Sequence, residues 1–253
     1  MESYDLIILI FACYTINKYK EEVININNTW GKKSENYSKL KILYFVGEEH
    51  NPEFYNNNNI EYINLPGVKD DYLSASYKQF LGMKYIFENY NTKFIFCCGT
   101  DTYINIPKLL LYINNFDYEE CLYIGGHGCN RQIGEKNYYF HSGGAGFIIT
   151  QNTLKKIYHL LEFIMNDWTN ICNIYNIKNL INACDVAISY YLQQPEYDVK
   201  IVINDLSFIN CNYLGYPCHC NQFNMRDIIS CHNMNTIDFY DFTNILNENN
   251  HFV

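Results

Sequence analysis

Short, nearly continuous apolar runs alternate along the chain with segments of helical periodicity. Runs of this kind are typical of strands that are covered on both faces of a sheet. The predicted strands are Leu6–Cys13, Lys41–Val46, Ile60–Leu65, Lys93–Cys98 and Cys121–Ile124. Because strands and helices alternate, we expect an α/β fold with a mostly parallel central sheet and helices on both faces.

The segments between these strands contain apolar residues at helical spacing. One helical face is formed by Leu73, Tyr77, Phe80, Leu81 and Tyr85. A second helix is predicted to begin at Asn105 or Ile106, and Thr150 is a candidate cap for a third. A fourth is predicted over Leu180–Gln193, before Pro195. Since neither a linker nor a repeat interrupts this alternation, residues 1–253 are predicted to form a single domain.

The composition indicates a globular, acidic protein. Of the 253 residues, 48% are hydrophobic and 17% aromatic, which argues against disorder. The formal net charge of −9 disfavours binding to nucleic acid or to an anionic membrane. A polyanionic substrate would therefore need a local cation, such as a metal ion.

No targeting or membrane-spanning segment is expected. The apolar run Leu6–Ala12 follows acidic residues and is far shorter than the roughly 20 residues that span a bilayer. We therefore expect a cytoplasmic protein without an integral membrane segment. In that compartment thiols stay reduced, so the eleven cysteines are expected to be free.

The first candidate for chemistry is Asp101, in the turn that follows the predicted strand Lys93–Cys98. In open α/β sheets ligands bind beyond the carboxyl ends of the strands, so Asp101 is predicted to lie at the ligand edge. A hard cation such as Mn²⁺ or Mg²⁺ takes oxygen ligands of this kind together with substrate phosphates. The alternative is an ordinary turn aspartate or a helix cap before Asn105.

The second candidate is a glycine cluster. Gly143, Gly144 and Gly146 fall within four positions between aromatic residues, a pattern that favours close approach of a ligand to the backbone. A tight turn or a bulge explains the same pattern equally well.

Two further residues are candidates from their local context. Asp185 is flanked by apolar residues in a predicted helix, so it is either a base aimed into a pocket or a partner of the helix dipole. His232 follows a short apolar run and is either a metal ligand or an ordinary histidine.

The late part of the chain offers a competing zinc site. Six potential ligands lie within 22 positions, namely Cys211, Cys218, His219, Cys220, Cys231 and His232. Their spacing differs from a standard zinc ribbon, because no pair is separated by two residues. A zinc-stabilised interaction protein therefore stays open as an alternative.

Taken in order, eight segments resemble glycosyltransferase family 31, which includes the Fringe proteins and the β1,3-galactosyltransferases. The matching segments are Leu6–Thr15, Asn27–Gly31, Tyr44–Gly47, Asp70–Lys78, Gly99–Asn105, Gly143–Phe147, Cys184–Ser189 and Ser230–His232. The Gly-Gly-Ala-Gly-Phe segment is identical to the family motif. The first two carboxylates of the family's metal motif are replaced here by Gly99 and Thr100.

The resemblance implies a GT-A fold and a role for each matching residue. Asp101 and His232 would bind the divalent metal, and Asp185 would be the general base. The donor nucleotide sugar would be bound by Thr15, Lys78, Gly99, Thr100, Gly143, Gly144, Ala145 and Gly146.

The resemblance also implies an activity. The expected protein is an inverting, Mn²⁺- or Mg²⁺-dependent glycosyltransferase. It would transfer a hexose or N-acetylhexosamine from a UDP-sugar to a hydroxyl of a glycan or glycoprotein. The alternative is a non-catalytic protein that binds a nucleotide sugar or glycan and keeps the transferase fold, and Gly99 and Thr100 favour it.

Overall fold

The computed structural model describes residues 2–216 and 223–248. The strands are β1 (Glu2–Phe11), β2 (Leu40–Val46), β3 (Tyr62–Asn64), β4 (Tyr90–Cys98), β5 (Tyr103–Ile104), β6 (Leu122–Gly125), β7 (Cys129–Ile133), β8 (Lys136–Phe140), β9 (Phe147–Thr150), β10 (Lys200–Ile203), β11 (Phe208–Ile209) and β12 (Ser230–Cys231). The α-helices are α1 (Asn17–Asn28), α2 (Trp30–Ser34), α3 (Pro52–Asn57), α4 (Ala75–Asn89), α5 (Ile106–Ile113), α6 (Gln151–Ile157), α7 (Ile164–Ile174), α8 (Cys184–Leu192) and α9 (Thr236–Glu248).

Seven strands form the central sheet in the order β10-β6-β9-β4-β1-β2-β3. All neighbouring pairs are parallel except those of β9, which runs antiparallel to both β4 and β6. The predicted α/β fold with a mostly parallel sheet is therefore confirmed.

The central strand β1 explains why its apolar run is continuous. Leu6, Ile8 and Ile10 point into one core, while Ile7 and Leu9 point into a second core on the other face. All five side chains are fully buried. Because successive side chains of a strand point to opposite faces, a strand covered on both faces must be apolar at every position. Each such side chain stabilises the fold by roughly 1.5–3 kcal/mol.

Two smaller sheets stand beside the central one. The order β11-β12-β5 forms a three-stranded sheet, and β7 and β8 form an antiparallel hairpin. The pairing of β12 with β5 is antiparallel, with Cys231 opposite Tyr103. This pairing joins the segment before α9 to the segment that follows β4.

All five predicted strands are present, with ends shifted by a few residues. The helix caps are confirmed as well, because the side chains of Asn105 and Thr150 accept hydrogen bonds from the first turns of α5 and α6. The helix predicted from residue 180 begins at Cys184 instead, after a 3₁₀ turn at Lys178–Leu180. Strands β9 and β10, only four residues each, were not predicted. No helix of the described ranges combines the length and the apolar character needed to cross a bilayer.

Candidate functional site

A cavity of about 620 Å³ opens beyond the carboxyl ends of β1 and β4. Its walls include residues that follow β1, residues that follow β4, the glycine cluster and the start of α8. The lining residues that had been predicted as site residues are Lys78, Gly99, Thr100, Asp101, Gly143, Gly144, Asp185 and His232. This is the edge at which open α/β sheets bind their ligands.

Asp101 and His232 converge, although they are 131 positions apart in the sequence. Oδ2 of Asp101 lies 3.2 Å from Nε2 of His232. The antiparallel register explains this contact: with Cys231 opposite Tyr103, the two side chains leave the same end of the β5–β12 pair. The backbone N–H of Met234 also donates to the carbonyl of Asp101, which ties the two segments together.

The spacing of these two atoms suits neighbouring ligands of one cation. Two ligands at about 2.1 Å from an octahedral ion, at a right angle, lie about 3 Å apart. Among the residues that the structure describes, however, no group of three His, Cys, Asp or Glu side chains is gathered. Any cation held here would therefore need further oxygen ligands from a bound phosphate or from water.

The imidazole of His232 is held from its other side. Its Nδ1 lies 2.8 Å from Oδ1 of Asn210 and 3.0 Å from Nδ2 of Asn233. These contacts direct Nε2 towards Asp101. Burial opposes ionisation of the Asp101 carboxyl, but the hydrogen bond and the charge of His232 outweigh it, so the pKa of Asp101 is lowered. The ionised carboxylate is the form that binds a cation, and His232 would have to lose its Nε2 proton to bind the same cation.

Asp185 lies in the first turn of α8 and faces the same cavity. Its Oδ1 accepts from the N–H of Val186 at 2.9 Å, and its Oδ2 accepts from the N–H of Gly143 at 3.1 Å. Burial nevertheless dominates and raises the pKa of Asp185, although these N–H donors lower it. A carboxylate with a raised pKa is a stronger proton acceptor, which suits a general base.

Asp185 and His232 each pack against one residue of the glycine cluster. A β-carbon on Gly143 would lie 3.1 Å from Cβ of Asp185, and one on Gly144 would overlap the ring of His232. Consecutive Cα atoms are about 3.8 Å apart, so Asp185 and His232 pack against adjacent residues of one turn. The turn is anchored by the hydroxyl of Thr102, which donates to the carbonyl of Gly144 at 2.9 Å.

The remaining residues of the segment, Ala145 and Gly146, have a structural role. Ala145 and Gly146 are buried and do not line the cavity. Gly146 has a φ of 78° and leaves no room for a β-carbon because the ring of Phe96 lies against it. Gly143 and Gly144 therefore line the cavity wall, whereas Ala145 and Gly146 do not.

Lys78 lines the cavity, but the protein itself uses its ammonium group. Nζ donates to Oδ1 of Asp70 and to the carbonyl of Ala12, both at 2.7 Å, and the residue is 1% exposed. Asp70 also accepts from the N–H groups of Tyr14 and Gly47. The ion pair therefore fixes the loops that follow β1 and β2.

Thr15 lies outside the cavity lining. It is exposed, and its hydroxyl donates to the carbonyl of Asp70. Like Lys78, it contacts the segment at residue 70 rather than open cavity space.

An acid missed by the sequence analysis lies behind Thr100. The Thr100 hydroxyl donates to Oε2 of Glu22 at 2.5 Å, and both residues are 4% exposed. Burial and the nearby Asp101 charge raise the pKa of Glu22 to about 7, against the lowering effect of Thr100 and Lys18. Only the helical stripe of α1, with Val23 and Ile26 buried beside Glu22, could have indicated an inward-facing acid.

Other lining residues were also missed, including Lys18, Tyr19, Asp71 and Tyr72. The rings of Tyr19 and Tyr72 stack with centroids 6.4 Å apart at the cavity wall. Their contacts link α1 to the segment before α4, so no local pattern could predict them.

The competing zinc site receives no support from the described part of the chain. Cys211 and Cys231 are both buried. His232 faces Asp101 instead. Cys218, His219 and Cys220 lie outside the described residues.

Solved glycosyltransferases share this fold. One is a glycosyltransferase involved in the glycosylation of the major capsid of PBCV-1, with a TM-score of 0.52 and 12% identity over 95% of this chain and 98% of that one. Another is the glycosyltransferase GlyE of Streptococcus pneumoniae TIGR4, with a TM-score of 0.58 and 9% identity. The match covers 98% of this chain and 64% of GlyE, so the chain corresponds to about two thirds of that protein.

The sequence itself matches a known family model, although no curated protein matches it. Residues 4–206 match the model described as Fringe-like, which is most of the chain. This range contains Asp101, the glycine cluster and Asp185, and His232 follows it. The chain belongs to the Fringe-like family, and the family and the fold together support its assignment as a glycosyltransferase.

Proposed function

We propose that the protein transfers a hexose or N-acetylhexosamine from a UDP-sugar to a hydroxyl of a glycan or glycoprotein, with inversion at the anomeric carbon. One observation carries the proposal: Asp101, His232 and Asp185 line the same cavity at the ligand edge of the sheet. The first two supply a cation site, and the third supplies a base.

The donor side of the reaction needs a cation because negative charge develops on the departing diphosphate. Asp101 and His232 would hold Mn²⁺ or Mg²⁺, which supplies Lewis acidity when bound. Thr100 and Gly99 leave this wall of the cavity without a further carboxylate. The diphosphate oxygens would therefore complete the ligand set, which couples cation binding to donor binding.

The acceptor side needs a base because a neutral hydroxyl is a poor nucleophile. Asp185 would take the proton from that hydroxyl as its oxygen attacks the anomeric carbon opposite the leaving group. The Gly143 N–H holds one oxygen of the carboxylate in place. A single base and one displacement invert the configuration, so an α-linked donor gives a β-linked product.

The second candidate function is binding without turnover. Gly99 and Thr100 favour it, since they replace the first two carboxylates of the family's metal motif and leave Asp101 as the carboxylate of that motif. Such a protein would bind a nucleotide sugar or a glycan and release no UDP.

The deciding experiment measures UDP release from a panel of UDP-sugars with MnCl₂, with and without acceptor glycans. We expect wild-type turnover with at least one donor. Asp185→Asn should reduce kcat about 100-fold or more while UDP affinity is kept, because general base catalysis contributes roughly 10²–10⁴-fold.

Asp117→Asn, an exposed change outside the cavity, is the matched control and should keep full activity. UDP binding without turnover of any donor would favour the binding protein. Full activity of Asp185→Asn would remove Asp185 as the base.

A further inference from the structure

The cavity is acidic, which poses a problem for an anionic donor. Asp71, Asp101 and Asp185 line it. A nucleoside diphosphate carries two to three negative charges of its own, and like charges in a partly enclosed site repel. One divalent cation offsets only part of this charge, so a second positive group beside the diphosphate would strengthen binding.

Two lysines line the cavity, and one of them is already engaged. Lys78 is 1% exposed, and its ammonium contacts Asp70 and the carbonyl of Ala12. Buried charges are normally paired in this way, and breaking such a pair is costly. Lys78 is therefore not free to bind a substrate anion.

Lys18, the other lysine, lies at the cavity wall and is exposed enough to bind a substrate anion. It lies in the first turn of α1, and its side chain is 67% exposed at the cavity wall. Glu22, which Lys18 contacts, also binds Thr100, the residue directly before Asp101, so the ammonium lies near the candidate cation ligand. The Nζ atom is 3.4 Å from Oε1 of Glu22 and 5.7 Å from the ring centroid of Tyr19.

We propose that Lys18 binds the diphosphate of the nucleotide donor, and that Glu22 and Tyr19 hold it beside Asp101 until the donor enters. The inference rests on the proposed function and adds a residue to its donor site. Glu22 contacts Lys18 with one carboxylate oxygen and Thr100 with the other. The long Lys18–Glu22 contact leaves donor capacity on the ammonium for phosphate oxygens.

The test compares Lys18→Gln with Lys20→Gln, a matched control two positions further along α1. Lys20 does not line this cavity, and its Nζ lies over the ring of Tyr14 instead. Calorimetry measures UDP binding at saturating MnCl₂, ligand-observed NMR measures uridine binding, and thermal unfolding checks the fold.

Lys18→Gln should weaken UDP binding about 10-fold, as expected for the loss of one charge-assisted hydrogen bond. Uridine binding and the unfolding temperature should not change, and Lys20→Gln should match the wild type throughout. Lys18→Arg should restore most of the UDP affinity, and Lys18→Gln should reduce the dependence of that affinity on salt.

The outcomes separate this proposal from the proposed function. If wild-type protein binds UDP and Lys18→Gln binds it equally well, Lys18 has no part in diphosphate binding although the donor site stands. Equal losses in Lys18→Gln and Lys20→Gln, or a parallel loss of uridine binding, overturn the proposal too. If wild-type protein binds neither UDP nor uridine, both the proposed donor site and the role of Lys18 in it are wrong.

Discussion

The imidazole ring of His232 packs directly against the backbone of Gly144, and a β-carbon at that position would overlap the ring. Beside it, Gly143 faces Asp185 with more room, since its β-carbon would lie 3.1 Å from the nearest side-chain atom. Two consecutive glycines therefore give room to two different candidate functional side chains. Substitution of each should affect a different step.

We expect Gly144→Ala to displace His232 and to weaken Mn²⁺ binding in the presence of UDP about 10-fold or more. Groups that orient a metal ligand typically contribute 10–100-fold to metal affinity, and here the ligand itself would move. Gly143→Ala should instead lower kcat and keep Mn²⁺ affinity, because it shifts the carboxylate of Asp185. Electron paramagnetic resonance of Mn²⁺ and steady-state kinetics measure the two effects.

Gly67→Ala controls for the loss of a glycine as such. Gly67 has a φ of 76°, and the space that a β-carbon would occupy there is open, so the change costs stability without touching the cavity. The interpretation of the two glycines is wrong if Gly143→Ala and Gly144→Ala reduce Mn²⁺ affinity to the same extent.

The sequence predicted the central part of the fold because its physical signal is local. β1 and β4 are buried on both faces, so their apolar runs are long and unbroken. β9 has four residues, and it follows the glycine turn directly and ends at the cap of α6. Because β9 runs directly into α6 without a turn, no break in the pattern marks it as a separate strand.

The location of the candidate site was predictable where a reactive residue type and a family-like motif coincide, because Asp101, His232 and Asp185 all line the cavity. The roles of Glu22 and Lys18 could not be predicted, since Glu22 contacts Thr100, which is 78 positions away in the sequence. Its helix, α1, contains four asparagines and shows only a narrow apolar stripe. The position of Lys18 at the cavity depends on the contact of α1 with the turn that follows β4, where Thr100 binds Glu22, and this is a tertiary relationship.

The ion pair of Lys78 and Asp70 leads to a prediction about stability. Lys78→Met would leave a buried carboxylate without its cation, and breaking such a pair typically costs about 3–5 kcal/mol. We therefore expect a large drop in the free energy of unfolding, measured by urea denaturation. The donor site would suffer only indirectly, through the loops that Asp70 holds.

Lys84→Met provides the comparison, because Lys84 pairs with Glu162 at 2.7 Å on the surface. Exposed pairs contribute roughly 0–1 kcal/mol, so this variant should be nearly as stable as the wild type. A double variant, Asp70→Asn with Lys78→Met, should recover part of the loss. A fully stable Lys78→Met that fails to bind UDP would instead make Lys78 a ligand-binding residue.

The buried carboxyl of Glu22 leads to a prediction about pH. Burial raises its pKa to about 7 from an ordinary value of 4.5. The folded state therefore disfavours the charged form: the cost is absent below about pH 4.5, grows as the pH rises, and is complete above about pH 7. At about 1.4 kcal/mol for each pH unit in that interval, the pH-dependent cost is on the order of 3 kcal/mol.

Glu22→Gln removes this cost while an amide oxygen can still accept from Thr100. We expect the variant to gain stability relative to the wild type as the pH is raised from about 5 to about 8, measured by urea denaturation at several pH values. Glu21→Gln, the exposed neighbour on the same helix, should show no such trend. If the difference between Glu22→Gln and the wild type is independent of pH, Glu22 is not the group that titrates near neutrality.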